Sequence, residues 1–321
     1  MSSCSSFASF ASLFESEQPV GQAAGQAAGQ AAEQAAGQAV EPVSIDEMSP
    51  KEFITRYRTD RTIGKGAFGE VFAATDLHSG LPVAIKQVLN SEQVRREIEV
   101  GMRLSSRNLC RTLAFTVNGP HMFIAMELIR GIELSDFIDQ NPGFFFQNPE
   151  IFTLVVRDIL RAIEHMHTLR IAHRDLKPEN VMLEQDAMTG EIKRAVVIDF
   201  GFAMSVSEIP ENAKEGSLEY IAPEILTGLF RKTEKVDTWA TGVTIFCMMY
   251  NAFPISSRHH DKNKYKMEVL YKLSRLQGAL QLPLYNEGNP HICKIREVVM
   301  RCLQVDPTHR ATSTELLAML S

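Results

Sequence analysis

Short apolar runs alternate with glycine-containing turns from Tyr57 to Val88, a pattern that predicts strands joined by tight turns. Residues 92–104 follow with an amphipathic pattern that predicts a helix. Two more apolar runs flank Asn118-Gly119, a dipeptide that favours a hairpin turn. The predicted strands cover residues 59–64, 71–74, 82–88, 113–117 and 122–128.

The chain beyond residue 131 is predicted to be mostly helical. Asn148-Pro149-Glu150 is a favourable helix start, because Asn caps, Pro fits the first turn and Glu complements the helix dipole. The elements together predict an α+β fold. A small lobe holds an antiparallel five-stranded sheet and one helix, a hinge follows at residues 127–131, and the larger second lobe is mainly helical.

Residues 1–50 differ in composition from the remainder. The first 14 residues carry no charge, and a repeat that starts at Gly21-Gln22-Ala23-Ala24 continues with variations to Val40. Because glycine disfavours helix, we interpret residues 1–50 as a disordered low-complexity tail. Two alternatives stay open. Phe7, Phe10 and Phe14 share the spacing of a docking helix, and residues 1–20 could form an organelle-targeting or secretion signal, although a transit peptide should contain Arg.

The overall composition excludes several classes of protein. Of the 321 residues, 45% are apolar and 22% are charged, enough to build a large core. The net charge of −6 disfavours nucleic acid as a partner. No apolar run reaches the roughly 18 residues that span a bilayer, so we expect no transmembrane segment. The five cysteines show no CxxC spacing, which predicts reduced thiols and a cytoplasmic location.

Two polar motifs near the middle of the chain carry most of the candidate chemistry. The run His173-Arg174-Asp175-Leu176-Lys177-Pro178-Glu179-Asn180 places an acid, an amine and an amide in one loop. Asp199-Phe200-Gly201 follows the buried-strand pattern Val196-Val197-Ile198. Phosphoryl transfer needs an acid to align the attacking hydroxyl, a cation to neutralise the moving phosphate and oxygen ligands for magnesium. The two motifs therefore predict a phosphoryl-transfer site.

A glycine-rich run precedes these motifs. Gly64-Lys65-Gly66-Ala67-Phe68-Gly69-Glu70-Val71 lies between predicted strands, where glycines let backbone amides close over phosphates. A dinucleotide-binding fold would need a helix after the third glycine, whereas a strand follows here. Val83-Ala84-Ile85-Lys86 then places Lys86 on an apolar strand, where it faces either solvent or an anion. We expect Lys86 to contact phosphates and to pair with Glu97.

Later acidic residues are expected to have structural roles. Asp237 opens an apolar helix and would need donors, which the backbone at His173 and Arg174 can supply. Glu224, in Ala222-Pro223-Glu224, and Arg310 are expected to form a buried pair that ties the segment after Asp199 to the last helix.

With these motifs in order, the sequence from Tyr57 to the C-terminus resembles a eukaryotic-type protein kinase. Lys177 and Gly216-Ser217-Leu218-Glu219-Tyr220 resemble the Ser/Thr subclass. The resemblance implies the bilobal protein kinase fold over residues 57–321, with the N-lobe at about 57–128 and the C-lobe at about 132–321. It also implies ATP-dependent phosphorylation of protein Ser and Thr hydroxyls, with Mg²⁺ as a cofactor.

Residue roles in catalysis follow from the resemblance at matching positions. Asp175 is the implied catalytic base, and Lys177 and Ser217 support it. Asn180 and Asp199 are the implied magnesium ligands.

Roles in nucleotide binding are implied in the same way. Lys86 and Glu97 form the implied ion pair, Met126 is the implied gatekeeper, and backbone groups of Glu127 and Ile129 meet adenine. The implied ATP-binding set is Ile63, Gly64, Lys65, Gly66, Ala67, Phe68, Gly69, Glu70, Val71, Ala84, Lys86, Glu97, Met126, Glu127, Ile129, Glu133 and Met182.

Within the family the chain is most similar to the calcium/calmodulin-dependent-kinase-like group. One cue is the stretch of residues 184–194, inserted between the catalytic loop and Asp199. Glu133 and Glu179 match positions that bind an Arg three residues before the phosphorylated residue in basophilic members. For Glu133, a surface acid or ribose contact is an equal alternative. Cys247 replaces an acid that other members use, so an Arg two residues before is not expected.

One departure from the family pattern concerns the loop after Asp199. Ala213 occupies the usual phosphorylation site, which leaves Arg174 without its expected phosphate. We hypothesise that Glu211 or Glu215 supplies a constitutive anion instead.

A second departure is Gly101, which replaces a large apolar residue four positions after Glu97. Gly101 is expected to loosen the helix and to leave a gap beside Phe200. Low basal activity would follow unless an activating partner braces the helix that carries Glu97.

Two other function classes compete with an active protein kinase. A pseudokinase, which is a binding scaffold on the same fold, is favoured by Gly101 and opposed by the presence of Lys86, Asp175, Asn180 and Asp199. A kinase of small molecules or lipids is disfavoured because residues 216–224 resemble a peptide-docking loop. We therefore expect a protein substrate.

Overall fold

The computed structural model describes residues 47–66, 69–210, 216–227, 233–283 and 288–320. The interpretation of residues 1–46 as a tail lies outside them. The described residues divide into two compact units, the first within Met1–Asn90 and Leu113–Met126 and the second within Ser91–Thr112 and Glu127–Ser321. No helix in these ranges is both long and apolar enough to cross a membrane.

The first unit is built on a five-stranded sheet in the order β1-β2-β3-β5-β4, and the predicted sheet is confirmed. Its strands are β1 (Tyr57–Gly66), β2 (Gly69–Asp76), β3 (Pro82–Leu89), β4 (Thr112–Asn118) and β5 (His121–Glu127). Their side chains contribute to a core that includes Val83, Ile85 and Phe123. The strand positions agree closely with the apolar runs from which they were predicted.

A short helix, α1 (Pro50–Arg56), precedes the sheet and was not predicted. Ser49 and Glu52 form a reciprocal capping box at its start, and Pro50 takes the first helical position. Phe53 is fully buried, with its ring centroid 4.8 Å from that of Tyr57. Ordered structure therefore begins before the first predicted strand.

The second unit is mainly helical, as predicted. Its helices are α2 (Glu92–Arg103), α3 (Leu134–Gln140), α4 (Phe144–Gln147), α5 (Pro149–Thr168), α6 (Pro223–Thr227), α7 (Lys235–Tyr250), α8 (Lys262–Ser274), α9 (Pro290–Cys302) and α10 (Ser313–Met319). A three-stranded sheet contains β6 (Gly131–Glu133), β8 (Val181–Gln185) and β9 (Ile192–Val197) in the order β6-β8-β9. A two-stranded sheet pairs β7 (Ile171–Ala172) with β10 (Met204–Ser205).

Helix α7 lies at the centre of the second unit. Its residues from Val236 to Met249 are all buried, because the helix is apolar on every side. Helix α2 packs on the same core through Val100 and Leu104. Through these contacts α2 belongs to the second unit.

Asn148 does not cap α5 with its side chain, which corrects one detail of the sequence analysis. Pro149 begins the helix as predicted, but Asn148 Nδ2 donates to the Phe144 carbonyl at 2.9 Å. Because α4 ends at Gln147, one residue before Asn148, this side chain closes α4 instead of opening α5.

The described cysteines, Cys110, Cys247, Cys293 and Cys302, are free thiols, and all but Cys293 are buried. Burial raises the pKa of Cys247 to about 12, although a hydrogen bond from Tyr220 acts in the opposite direction. The reduced state expected from the sequence is consistent with these positions.

Candidate active site

The glycine-rich run forms the β1–β2 hairpin of the first unit. Gly64 pairs with Val71, Lys65 with Glu70, and Gly66 with Gly69. Gly69 has φ of 141°, and a Cβ at this position would overlap the Gln87 carbonyl, so only glycine fits. Gly66 has open space where its Cβ would lie. The predicted residues Ala67 and Phe68 lie outside the described residues, and Ile63, in β1, is 43% exposed.

Three predicted ATP-binding residues of the first unit share one face of its sheet. Val71 is the cross-strand partner of Lys86. Ala84 lies two residues from Lys86 along β3, so its side chain projects on the same side. Lys86 is half-buried on a strand whose other residues are mostly buried. Met126, the last residue of this unit, is also half-buried. The pairing of Lys86 with Glu97 stays a prediction.

Asp175 lies at the centre of a hydrogen-bonded cluster in the second unit. Its Oδ2 accepts from Lys177 Nζ at 2.7 Å. Its Oδ1 accepts from the Ser217 backbone N–H at 3.0 Å and from Ser217 Oγ at 3.1 Å. Lys177 Nζ also donates to Ser217 Oγ at 2.9 Å. The structure therefore brings together all three residues that the resemblance implies for catalysis.

The backbone around Asp175 allows this close approach. Gly216 has φ of 116°, and a Cβ there would lie 2.8 Å from the Arg174 carbonyl, closer than real contacts allow. Arg174 itself has φ of 69°. Two unusual backbone conformations thus bring the Ser217 segment against the loop that carries Asp175.

Asn180 and Asp199 offer the oxygen ligands that a magnesium ion prefers. Asn180 Nδ2 donates to the Asp175 carbonyl at 2.8 Å and to Asp175 Oδ2 at 3.2 Å, so its amide oxygen remains for a cation. The Ile198 backbone N–H donates to the Asn180 carbonyl at 3.0 Å, which keeps Asp199 next to Asn180. The donor set therefore fits magnesium.

Helix α2 approaches Asp199-Phe200-Gly201 along one face. Gln93 Nε2 donates to the Gly201 carbonyl at 3.0 Å. Glu97 Oε2 lies 3.6 Å from where a Gly201 Cβ would be. Gly101, another turn along the helix, lies beside Phe200. Residues at a spacing of four thus hold this face of α2 against the Asp199-Phe200-Gly201 turn.

The predicted gap at Gly101 is absent, so that expectation was wrong. Gly101 is buried, and a Cβ there would overlap Thr112 Oγ1 and lie 3.3 Å from Thr112 Cβ and 3.8 Å from the Phe200 ring. Thr112, at the start of β4, fills the space that a larger residue would take. Gly101 therefore makes room for the Thr112 side chain, and no void is left between them.

We expect Gly101→Ala to lower the free energy of unfolding by up to about 2 kcal/mol, because overpacking costs about 1–3 kcal/mol and Ala gains only about 1 kcal/mol over Gly in a helix. Thr112→Ala combined with Gly101→Ala should recover most of the loss, because Oγ1 is then absent. Urea unfolding of the two single variants and the double variant measures this coupling. If Gly101→Ala proved stabilising on its own, the close packing at this position would be contradicted.

Asp237 accepts hydrogen bonds from the two backbone groups predicted for it, and it also contacts the His167 side chain. Its Oδ2 and Oδ1 accept from the backbone N–H groups of His173 and Arg174, each at 2.8 Å. His167 Nε2 lies 2.9 Å from Asp237 Oδ2, and His167 Nδ1 lies 3.1 Å from Ser313 Oγ. Burial alone would raise the pKa of Asp237, but these hydrogen bonds and the nearby histidines keep it below the ordinary value. The role of His167 was not predicted from the sequence.

Glu224 and Arg310 form the predicted buried ion pair. Arg310 Nη1 donates to Glu224 Oε1 at 2.6 Å, and Nη2 donates to Oε2 at 2.8 Å. The Glu224 side chain is 4% exposed and the Arg310 side chain is 0% exposed. The Arg310 guanidinium also lies over the Trp239 ring, 5.2 Å from its centroid. The segment that ends at Glu224 is thus tied to the last part of the chain.

Arg174 contacts the residues that follow Asp199. Its Nη1 lies 3.0 Å from Met204 Sδ and 3.4 Å from the Phe202 carbonyl. Ala213, Glu211 and Glu215 lie outside the described residues, so the hypothesis of a constitutive anion stays untested.

Glu133 and Glu179 lie close enough to influence each other. Loss of solvent around the carboxylate, followed by the charges of Asp136 and Glu179, raises the pKa of Glu133. Both residues are exposed. Met182, predicted to line the adenine site, is paired with Glu133 across β6 and β8. Cys247, by contrast, is buried and cannot present a charge.

Comparison with known proteins finds one family over most of the chain. The family model described as Protein kinase domain matches residues 57–320. Calcium-dependent protein kinase 4 of Plasmodium falciparum is 28% identical over 276 residues, which cover 83% of this chain and 49% of that protein. Its counterpart in Plasmodium berghei is 26% identical over 275 residues. The chain spans about half the length of these relatives.

Two further relatives are protein kinases with names other than calcium-dependent protein kinase. A probable myosin light chain kinase of Dictyostelium discoideum is 30% identical over 274 residues, which cover 81% of this chain and 65% of that protein. The Aurora kinase of Schizosaccharomyces pombe is 27% identical over 276 residues, which cover 83% of this chain and 72% of that protein.

Proposed function

Because the chain belongs to the protein kinase family, as its motifs predicted, we propose that it is a protein serine/threonine kinase. The reaction transfers the γ-phosphoryl group of Mg-ATP to Ser or Thr hydroxyls of a protein. The observation that carries this proposal is the cluster of Asp175, Lys177 and Ser217. It joins a carboxylate, an ammonium group and a hydroxyl within 3.1 Å of one another.

Each member of the cluster has a role in the proposed reaction. Asp175 aligns the substrate hydroxyl and accepts its proton while the hydroxyl oxygen bonds to the γ-phosphorus. The bond from that phosphorus to the bridging oxygen of ADP breaks. Lys177 offsets the negative charge of the transferred group, and Ser217 holds Asp175 and Lys177 at a fixed spacing. Magnesium, held by Asn180 and Asp199, would supply positive charge at the phosphates.

Residues of the first unit supply the ATP-binding part of the proposal. Gly66 leaves its backbone open to a ligand, and Gly69 lets the hairpin lie against β3. Lys86 projects from the same face as Val71 and Ala84, which would place an ammonium group next to an apolar surface. In the second unit, the proposal assigns adenine contacts to the backbone of Glu127 and Ile129.

The competing proposal is a pseudokinase, and the geometry speaks against it. Its sequence support was Gly101, which the packing against Thr112 now explains without a defect. Among the relatives, the names calcium-dependent protein kinase and myosin light chain kinase support placement in the calcium/calmodulin-dependent-kinase-like group. An activating partner that binds α2 stays part of the proposal. Its original reason, a gap at Gly101, no longer applies. Buried free thiols support the proposed cytoplasmic location.

A phosphorylation assay on peptide arrays tests the proposed function directly. The purified chain is incubated with labelled ATP and Mg²⁺ on peptides that contain Ser, Thr or Tyr, and Asp175→Ala serves as the blank. We expect label on Ser and Thr peptides from the native chain alone. Label on Tyr peptides, equal label from the blank, or nucleotide binding without any transfer would refute a Ser/Thr kinase.

We further propose that Glu133 and Glu179 select substrates with an Arg three residues before the phosphorylated hydroxyl. Glu133→Gln and Glu179→Gln should each raise KM for an Arg-containing peptide by about 3- to 10-fold, because each removes one charge facing the guanidinium. KM for the matched peptide with norleucine in place of Arg should not change. Glu191→Gln, an exposed acid at another place, is the control. Equal effects on the two peptides would exclude this selection.

A further inference from the structure

The inserted stretch of residues 184–194 forms a hairpin, which was used above only as a cue to the family. Glu184 on β8 and Arg194 on β9 are cross-strand partners at its base. Asp186 closes the turn: its Oδ1 accepts from the backbone N–H groups of Met188 and Thr189 at 2.8 Å and 3.0 Å. Its Oδ2 pairs with Lys193 Nζ at 2.6 Å. Asp186 therefore holds the turn of the hairpin, and the charged pair Glu184 and Arg194 lies at its open end.

Arg194 joins this open end of the hairpin to residues 127–131, which start at the last residue of β5. Its Nε donates to Glu184 Oε2 and its Nη2 donates to Glu127 Oε1, each at 2.6 Å. Its Nη1 donates to the Arg107 carbonyl. The Arg194 side chain is only 13% exposed, so these charge-assisted bonds are largely shielded from solvent.

The segment of residues 127–131 is also held by backbone contacts at both ends. The Glu127 backbone N–H donates to the Arg111 carbonyl at 2.9 Å, and the Gln185 N–H donates to the Arg130 carbonyl at 2.9 Å. A Cβ at Gly131 would overlap the Leu183 carbonyl. Backbone contacts thus hold the two ends of the segment, whereas the Glu127 side chain is held by Arg194.

We propose that Arg194 is a positioning residue for adenine recognition. This inference rests on the proposed function, which assigns the adenine contacts to the backbone of Glu127 and Ile129. The planar guanidinium fixes the Glu127 carboxylate and, through it, the Glu127 peptide plane. Without the positive charge of Arg194, the carboxylates of Glu127 and Glu184 would repel each other. Their repulsion would displace the backbone groups that bind the base.

Nucleotide affinity and steady-state kinetics together test the role of Arg194. In Arg194→Met, we expect the Kd for ADP, measured by calorimetry without peptide, and the KM for ATP to rise about 10-fold. The kcat and the KM for peptide should stay within about twofold of the native values, because the cluster at Asp175 is untouched. Lys193→Met is the matched control. It removes the neighbouring ion pair on the same strand and should leave the Kd for ADP unchanged.

A double-variant cycle separates positioning from a general effect on the fold. If Arg194 acts through Glu127, Arg194→Met should raise the Kd for ADP less in a Glu127→Gln background than in the native chain. An unchanged Kd in Arg194→Met, a fall in kcat with native KM, or the same effect in both backgrounds would each overturn the inference. If Arg194→Met does not fold, Arg194→Gln decides, because it removes the charge and keeps a polar side chain. A native Kd for ADP in Arg194→Gln would overturn the inference.

The inference and the proposed function fail in different ways. A native chain that binds ADP but phosphorylates no peptide refutes the kinase proposal, and the ADP measurement still decides on Arg194. A native chain that binds no nucleotide refutes both.

Discussion

Replacing Asp175 by Asn is expected to lower kcat for peptide phosphorylation by about 100- to 10,000-fold. The substitution keeps the size of the side chain but removes the charge that accepts from Lys177 and Ser217. An amide cannot take up the proton of the substrate hydroxyl, so the base is lost. Initial rates at saturating ATP and peptide measure the change.

The Asp175→Asn variant should still bind nucleotide, because Asp175 is not among the residues proposed to contact ATP. We expect its Kd for ADP to stay within about threefold of the native value. Lys177→Met provides a comparison, because it leaves the carboxylate in place. If Asp175→Asn kept more than about a tenth of native kcat, Asp175 would not be the base.

Replacing Arg310 by Met is expected to lower the free energy of unfolding by about 3–5 kcal/mol. The reason is that the buried Glu224 carboxylate would lose the guanidinium that offsets its charge. The carbonyls of Gln304, Lys235 and Val305, which also accept from the guanidinium, would lose a donor as well. Chemical denaturation gives the free energy difference.

Two further variants show whether burial causes that loss. Arg58→Met removes an exposed ion pair with Asp60 and should cost less than about 1 kcal/mol. The double variant Arg310→Met and Glu224→Met should be more stable than Arg310→Met alone, because no unpaired charge is left. A loss below about 1 kcal/mol in Arg310→Met would mean that the pair contributes little.

The strands and long helices could be predicted because their signals are local. The apolar runs of β2 and β3 and the apolar face of α5 depend on residues close in sequence. Helix α1 was missed because it has seven residues and buries Phe53 alone, which leaves no periodic pattern to detect. Asn148 was assigned to the wrong helix because a good cap residue can serve either of two adjacent ends.

The site was predictable where a motif places its own residues and not where distant residues meet. Asp175 and Lys177 lie within one loop, so their proximity follows from the sequence. The gap expected at Gly101 was inferred from the size of one side chain, whereas the answer depended on Thr112 approaching from β4. The contacts of Arg194 likewise join three separate segments, and no spacing in the sequence indicates them.

The hydrogen bonds around Asp237 have a practical consequence for anyone who shortens this protein. Ser313 in the last helix contacts His167, His167 contacts Asp237, and Asp237 holds the loop next to Asp175. A truncation that stops before α10 would therefore remove a support of the loop next to Asp175 from more than a hundred positions away. Expression boundaries should be drawn after this helix, even though no residue in it touches a substrate in the proposed reaction.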